Sequence, residues 1–309
     1  MDLSLRPLDE SGFGAVVDAN LATDAERLAP QLATALHQHR LLLVPRQHLT
    51  HADLLTVASC FGTIDTSVDR RYAVGGFPGL TVISNIVEDG EHIGVYDGDN
   101  EEEWHADKSF KPQLTSATML YSVITPEHGG ETRFADATRA YADLPDAVRQ
   151  RIDPMRARHS LELLGALQSQ ASGGQSSIVA GSLAASPEVE HPLVLTHPVT
   201  GARSLLLGSM VISGITTLTE QGSRTLLEEL LEHATSAPYV YAHRWSQGDM
   251  VVWDNFATLH TASPCDSSRH RRLLYRAGVR WPKAPAFTPP DDRRREREGC
   301  PAAGPRVCP

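Results

Sequence analysis

The sequence predicts an α+β, β-rich fold. Segments with helical periodicity come early, many short strand-like runs separated by turn residues follow, and the two do not alternate in the manner of a parallel βαβ sheet. At 309 residues the chain is long enough to bury a substantial core without disulfides. Length alone does not separate one large domain from two small ones.

Taken in order, residues 3–8 read as a short strand, and 24–39 read as an amphipathic helix with Leu28, Leu32, Ala35 and Leu36 on one face. The run 41–44, Leu-Leu-Leu-Val closed by Pro45, suits a buried strand. Thr50 reads as an N-cap, and Asp53 completes a capping-box-like pattern ahead of a helix over 54–61. Residues 80–86 and 116–124 read as strands, and 140–152 carries helical spacing. The stretch 168–186 is rich in Ser, Gly, Ala and Gln without periodicity, and reads as a loop or lid. Residues 193–195 and 204–207 form a hairpin across Pro198-Val199-Thr200-Gly201. A helix spans 219–235, with Leu226, Leu227, Leu230 and Leu231 on one side, before β-like runs at 239–243, 250–253 and 273–280. From 283 to 309 the chain is dominated by Pro, Arg and Gly and reads as a disordered tail, which leaves 1–282 as a single domain.

Hydrophobic residues make up 41% and charged residues 21%, ordinary for a soluble globular chain. The formal net charge of −10 argues against a nucleic-acid partner, and the dense basic run at Arg293, Arg294, Arg295 and Arg297 lies in the tail. Cys60, Cys265, Cys300 and Cys308 form no Cys-x-x-Cys pair, so neither a zinc ribbon nor a disulfide framework is indicated. The N-terminus lacks a signal-peptide pattern, and no apolar stretch approaches 18 residues. The expectation is a cytoplasmic protein without membrane or nucleic-acid partners, with a homo-oligomer left open.

Chemistry enters with two His-Ala-Asp tripeptides. Two histidines and one carboxylate on one face of a metal leave positions open for a bidentate cosubstrate and O₂, and residues i and i+2 of a strand share a face. His-x-Asp is a weak signal alone, since about one such tripeptide arises by chance at ordinary composition. His51-Ala52-Asp53 falls in the first turn of a helix, where the two side chains diverge and Asp53 has a capping role. His105-Ala106-Asp107 lies outside any helical pattern. The competing chemistry, a zinc hydrolase, lacks a His-Glu-x-x-His motif and an obvious general base, and no Gly-x-Ser-x-Gly occurs. Trp104 and Trp253 read as core aromatics, His191, His197 and His243 as structural, and Glu101-Glu102-Glu103 as a solvated acidic face.

The segment 104–110, Trp-His-Ala-Asp-Lys-Ser-Phe, resembles the start of the metal motif in the taurine/2,4-D dioxygenase family, the TauD/TfdA-like 2-oxoglutarate oxygenases. Gly129-Gly130-Glu131-Thr132 resembles that family's Gly-Gly-x-Thr signature. His191-Pro192-Leu193-Val194 with Thr196-His197-Pro198-Val199-Thr200-Gly201 resembles its mid-chain segment, and Gly248-Asp249, Trp253-Asp254-Asn255 and His260 resemble the approach to the distal ligand. Arg271-Arg272-Leu273-Leu274-Tyr275-Arg276 resembles the closing arginine motif, so the likeness runs in order over nearly the whole chain.

The resemblance implies a double-stranded β-helix (jelly roll) core with flanking helices. It implies Fe(II) held by His105, Asp107 and His260, and 2-oxoglutarate held at its distal carboxylate by Thr132 and Arg272. Arg276 would lie near the metal-bound end of that cosubstrate or near an anionic group of the substrate. A guanidinium fork suits a carboxylate that the metal does not neutralise, and Arg272 and Arg276, four apart on a strand-like run, would face one way with Arg271 outward. The implied reaction consumes 2-oxoglutarate and O₂ to oxidise a small molecule, with release of succinate and CO₂. Arg276 and Arg71 favour an anionic substrate, whereas 97–100 and the three glutamates after it do not match a taurine-binding pattern. A carboxylate at 107 favours hydroxylation, desaturation or ring formation over halogenation. The alternatives are a catalytically idle ligand-binding protein or a zinc hydrolase on the same scaffold.

Overall fold

The computed structural model of the chain describes residues 3–66, 71–96, 103–163, 165–166 and 187–281. The expected lid at 168–186, the tail at 283–309, the stretch 97–100, Glu101 and Glu102 lie outside the described residues.

Helix α1 (Leu21–His39) begins before the periodicity does, because the Asn20 side chain accepts the Ala22 N–H and caps it. It ends at Arg40, whose left-handed backbone (φ 66°) turns its N–H onto the Leu36 carbonyl. Helix α2 (His51–Ser59) carries the full capping box: Thr50 accepts from the Asp53 N–H and the Asp53 side chain accepts from the Thr50 N–H. The first His-Ala-Asp is therefore a helix start, as its sequence context indicated.

The largest sheet has nine strands. Its order is β1 (Ser4–Pro7), β2 (Ala15–Asp18), β3 (Leu41–Val44), β17 (Met250–Asp254), β9 (Ala117–Ile124), β19 (Leu273–Arg280), β6 (Phe77–Ser84) and β5 (Ala73–Val74), with β4 (Thr63–Ile64) also paired to β19. Side-chain alternation gives this sheet two faces. Ala117, Met119 and Tyr121 of β9, Met250 and Val252 of β17, and Ala277 and Val279 of β19 pack with the apolar stripe of α1 and with Leu54 and Val57 of α2. The intervening residues Leu120, Val251, Trp253 and Leu274 pack with Phe134 on a second, facing sheet. Thr118 and Arg276 share this inner face by the same alternation.

The facing sheet is β10 (Thr132–Asp136) between β16 (Val240–His243) and β18 (Thr258–Ala262). A further sheet, β11 (Arg156–His159) between β12 (Val189–Pro192) and β15 (Ile212–Ile215), encloses a separate apolar core. The hairpin β13 (Val194–Thr196) with β14 (Arg203–Leu205) and the helices α3 (Ala137–Ala142), α4 (Asp146–Ile152) and α5 (Glu220–Ala234) complete that core. The small ladder β7 (Val87–Glu88) with β8 (Glu91–His92) stands apart. Among the described residues, no helix is long and apolar enough to cross a membrane.

The sequence-based helix over 140–152 is corrected to two helices. Pro145 sits at the N-cap of α4 and disfavours helical backbone at the residue before it, so α3 and α4 cannot be continuous. The spacing looked continuous because Ala140, Tyr141 and Ile152 all enter the same core. The strands β10 and β18, which carry two of the expected site residues, had no apolar run to mark them.

Leu32 of α1 is fully buried against the main sheet, whereas Leu5 on the edge strand is 37% exposed. Leu32→Ala is expected to lower the unfolding free energy by about 2–5 kcal/mol, and Leu5→Ala by less than about 0.5 kcal/mol, in urea denaturation.

Candidate metal centre

His105 and His260 are brought together by backbone pairing. His105 N–H donates to the His260 carbonyl at 3.0 Å and His260 N–H donates to the His105 carbonyl at 2.9 Å, an isolated antiparallel bridge at the edge of the facing sheet. Residues directly opposite across such a pair project to the same side, and the imidazole centroids stand 4.2 Å apart. Asp107 does not continue the strand, which corrects the sequence rationale for the pair. It opens a turn whose next residue, Lys108, has φ 52°, and the Lys108 ammonium pairs with the buried Asp65 at 2.9 Å. The turn brings the Asp107 Oδ2 to 3.9 Å from His260 Nε2. One ligand atom from each of His105, Asp107 and His260 lies within 4.8 Å of the others.

The protonation states suit a divalent cation, which needs neutral imidazole and ionised carboxylate. His105 Nδ1 contacts the Glu103 carbonyl at 2.8 Å. A carbonyl only accepts, so Nδ1 carries the proton and the ring lone pair lies on Nε2. Burial, reinforced by His105 and Arg276 against the pull of Asp107, drives His260 down to about 3. Burial acts to raise Asp107, but His260, Arg276, His105 and the Thr118 hydroxyl outweigh it and hold the carboxyl down to about 2. The donor set therefore fits a metal that prefers mixed nitrogen and oxygen ligands.

Thr132 is buried on β10, and its Oγ1 accepts the Trp245 indole N–H at 3.0 Å. Arg272 lies just before β19, its N–H held by Asn85 Oδ1 at 2.8 Å. Gly130 joins the two regions: it has φ 69°, and a Cβ there would lie 3.3 Å from the Arg272 Cδ. A Cβ on Gly129 would lie 2.5 Å from the Pro264 carbonyl oxygen, so the paired glycines allow a close backbone approach and let the Arg272 stem pass. Arg276 lines a small cavity with Asp107, Lys108, Thr81, Thr115, Thr118 and Gly278. Its guanidinium makes no hydrogen bond or ion pair with any described residue, although its charge is felt at Asp107 and His260. Arg71 is exposed and stacks on Tyr72 with the guanidinium carbon 5.2 Å from the ring centroid. Arg271 is exposed as expected.

A second cluster, His37, His197 and Asp254, also has metal-like spacing, and sequence reading missed it. Its hydrogen bonds explain it without a metal. His197 Nδ1 accepts the N–H groups of Val199 and Thr200, both at 3.1 Å, so its proton sits on Nε2 and is donated to Asp254 Oδ2 at 2.8 Å. His197 therefore has no lone pair left for a cation. His191 bonds the Lys111 carbonyl at 2.9 Å, and His159, which no motif marked, bonds Ser109 Oγ at 3.1 Å, so both brace the turn after Asp107. Trp253 is a core residue, and Trp104 packs on the neighbouring core with the Arg133 guanidinium over its ring. Glu103 is exposed and accepts from the Ser209 hydroxyl at 2.6 Å. Thr118, Trp245 and Asn255 also surround the site; Asn255 falls in the Trp253-Asp254-Asn255 motif without a role having been read for it, and nothing in the local sequence singles out Thr118 or Trp245.

Residues 4–277 match the family described as taurine catabolism dioxygenase TauD, TfdA family. The chain is 33% identical over 283 residues to the (S)-phenoxypropionate/alpha-ketoglutarate-dioxygenase of Sphingobium herbicidovorans, covering 88% of this chain and 93% of that protein. It is 33% identical over 285 residues to pentalenolactone F synthase of Streptomyces arenae, covering 87% and 93% respectively. Among solved structures, the crystal structure of AAD-2 in complex with Mn(II) and N-oxalylglycine superposes with a TM-score of 0.74 at 28% identity, over 92% of this chain and 99% of that one.

Burial pushes both His159, aided by His191, and His260 from 6.5 down to about 3. Between those values the unfolded chain binds more protons than the folded one, so stability is full above pH 6.5 and falls as the pH drops toward 3. The slope is at most ~1.4 kcal/mol per pH unit for each histidine. Urea midpoints of the metal-free protein are expected to follow that fall, and His159→Gln is expected to flatten it. A pH-independent midpoint across this window contradicts burial of the neutral rings.

Proposed function

The chain belongs to the TauD, TfdA dioxygenase family, and on that premise we propose that it oxidises a small anionic metabolite or natural-product intermediate by hydroxylation or a related desaturation or cyclisation. It is an oxidoreductase that uses Fe(II), 2-oxoglutarate and O₂. In our reading His105, Asp107 and His260 hold the iron, Thr132 and Arg272 hold the distal carboxylate of 2-oxoglutarate, and Arg276 takes the anionic group of the substrate. The observation that carries this reading is the set of two imidazoles and one carboxylate within 4.8 Å, with burial holding the His260 ring neutral and its neighbours holding the Asp107 carboxyl ionised.

The bound metal supplies the activation of O₂ that is coupled to conversion of 2-oxoglutarate into succinate and CO₂. The residues of the chain orient the reactants and exclude water. Trp245 N–H occupies an acceptor position on Thr132 Oγ1, which leaves the hydroxyl its own proton to donate to a carboxylate. Arg272 offers that carboxylate a planar, charge-assisted fork. Arg276, which lines the cavity beside Asp107 and makes no ion pair with a described residue, is suited to a substrate carboxylate beside the metal. That choice agrees with relatives named for a phenoxypropionate and for 2,4-dichlorophenoxyacetate. The retained Asp107 favours hydroxylation over halogenation.

The same reading extends to the rest of the chain. The nine-stranded sheet and the facing three-stranded sheet form a jelly roll, residues 1–282 act as a single oxygenase domain, and the protein works in the cytoplasm without nucleic-acid or membrane partners.

With Fe(II), ascorbate and air, the purified protein is expected to convert 2-oxoglutarate to succinate in step with oxidation of a member of a panel of small carboxylic acids. Arg272→Ala is expected to raise the KM for 2-oxoglutarate roughly 10–150-fold, the equivalent of losing a charged hydrogen bond of ~1.5–3 kcal/mol. Arg276→Gln is expected to raise the KM for the acid substrate while that for 2-oxoglutarate changes little. Absence of succinate with every acid, or an unchanged KM in the Arg272 variant, contradicts the reading.

A further inference from the structure

The turn that carries Asp107 lacks the ladder of hydrogen bonds a strand would provide, yet its carboxylate is held by a chain of bonds whose directions are all forced. Asn255 sits on the turn between β17 and β18 and is 3% exposed. Its Oδ1 accepts the Asp107 backbone N–H at 3.2 Å and the Trp253 indole N–H at 3.2 Å. Both groups only donate, so the amide oxygen is on that side and Nδ2 faces Thr118 Oγ1 at 2.9 Å. Nδ2 in turn only donates, so the Thr118 hydroxyl must send its single proton elsewhere. It sends it to Asp107 Oδ2 at 2.5 Å. None of these bonds can reverse while Asp107 is a carboxylate. Each donor also polarises the next, and the low-dielectric surroundings strengthen the chain.

We propose that Thr118 and Asn255 are positioning residues for the metal: they form a one-way relay that holds the Asp107 carboxylate in the orientation that binds it. The inference rests on the reading of His105, Asp107 and His260 as the ligands. It also explains how the site spans two sheets. His105 and His260 belong to the edge of the facing sheet, whereas Thr118 lies on β9 at the centre of the nine-stranded one. The relay ties the third ligand to the main sheet, so the spacing of the two sheets sets the bite of the site. Partners of this kind alter metal affinity when removed, even though they never touch the ion.

The test is Mn(II) binding to the intact chain, with free Mn(II) counted by electron paramagnetic resonance. Thr118→Val keeps the shape and removes the donor; Thr118→Ser keeps the donor. Thr118→Val is expected to weaken Mn(II) binding about 10–100-fold, and Thr118→Ser is expected to stay near the parent, with both variants folded by circular dichroism at the binding temperature. Asn255→Leu is expected to weaken binding through the same relay, and its loss combined with that of Thr118→Val should fall well short of their product, because coupled residues are not additive. Parent-like binding in Thr118→Val, equal loss in Thr118→Ser, or multiplicative losses in the double variant overturns the relay. Failure of the parent protein to bind Mn(II) overturns the ligand assignment itself, and the relay with it.

Discussion

The site depends on one local constraint: two backbone hydrogen bonds between His105 and His260, at 3.0 and 2.9 Å, that join segments far apart in the chain. That bridge puts two imidazoles on the same side of a sheet edge before any metal is considered. Once they are there, the turn after His105 needs only to swing one carboxylate beneath them. The apolar work of the molecule serves this geometry. Trp253 and Phe134 fill the space between the sheets, and both rings lie near His260, with centroids 4.7 and 6.3 Å from it. They help to bury the imidazole, and burial is what keeps it neutral.

Electrostatics then favours one kind of occupant. The carboxylate lies near the Arg276 guanidinium and the Lys108 ammonium, the latter offset by Asp65. A structural ion pair would not need a histidine kept neutral by burial beside the acid. A cation with open coordination positions, together with anionic ligands that meet the arginines, completes the charge pattern. The His37–His197–Asp254 cluster is the instructive contrast. It has similar spacing, yet the lone pair that His197 could offer is already used by backbone donors. Spacing nominates both clusters, and hydrogen-bond direction separates them.

Much of this was legible in the sequence, for identifiable reasons. The α1 stripe, the capping box at Thr50 and Asp53, and the run at Leu41 to Val44 are local signals and appear where periodicity places them. The capping box also disposed of the decoy His51. The candidate site residues were nominated through ordered motifs, and one of those motifs has a local physical cause: the paired glycines at 129 and 130 provide positive φ and close approach. What remained hidden is long-range. The bonds that join Thr118 and Asn255 to Asp107 exist only when β9 and β17 become neighbours, and a threonine in an apolar strand carries no mark of that. The strands β10 and β18 are short and polar on one side, so no periodicity announced them. Pro145 was visible, but the shared core of α3 and α4 disguised the break.

The central claim is that His105, Asp107 and His260 together bind iron in a way that lets 2-oxoglutarate chelate it. An anaerobic titration of the intact protein with Fe(II) and 2-oxoglutarate tests this without any knowledge of the substrate, because the chelate absorbs weakly in the visible. The account requires a band that saturates at one 2-oxoglutarate per iron in the parent and is lost in His105→Ala and His260→Ala. A parent protein without the band, or variants that retain it, would contradict the assignment.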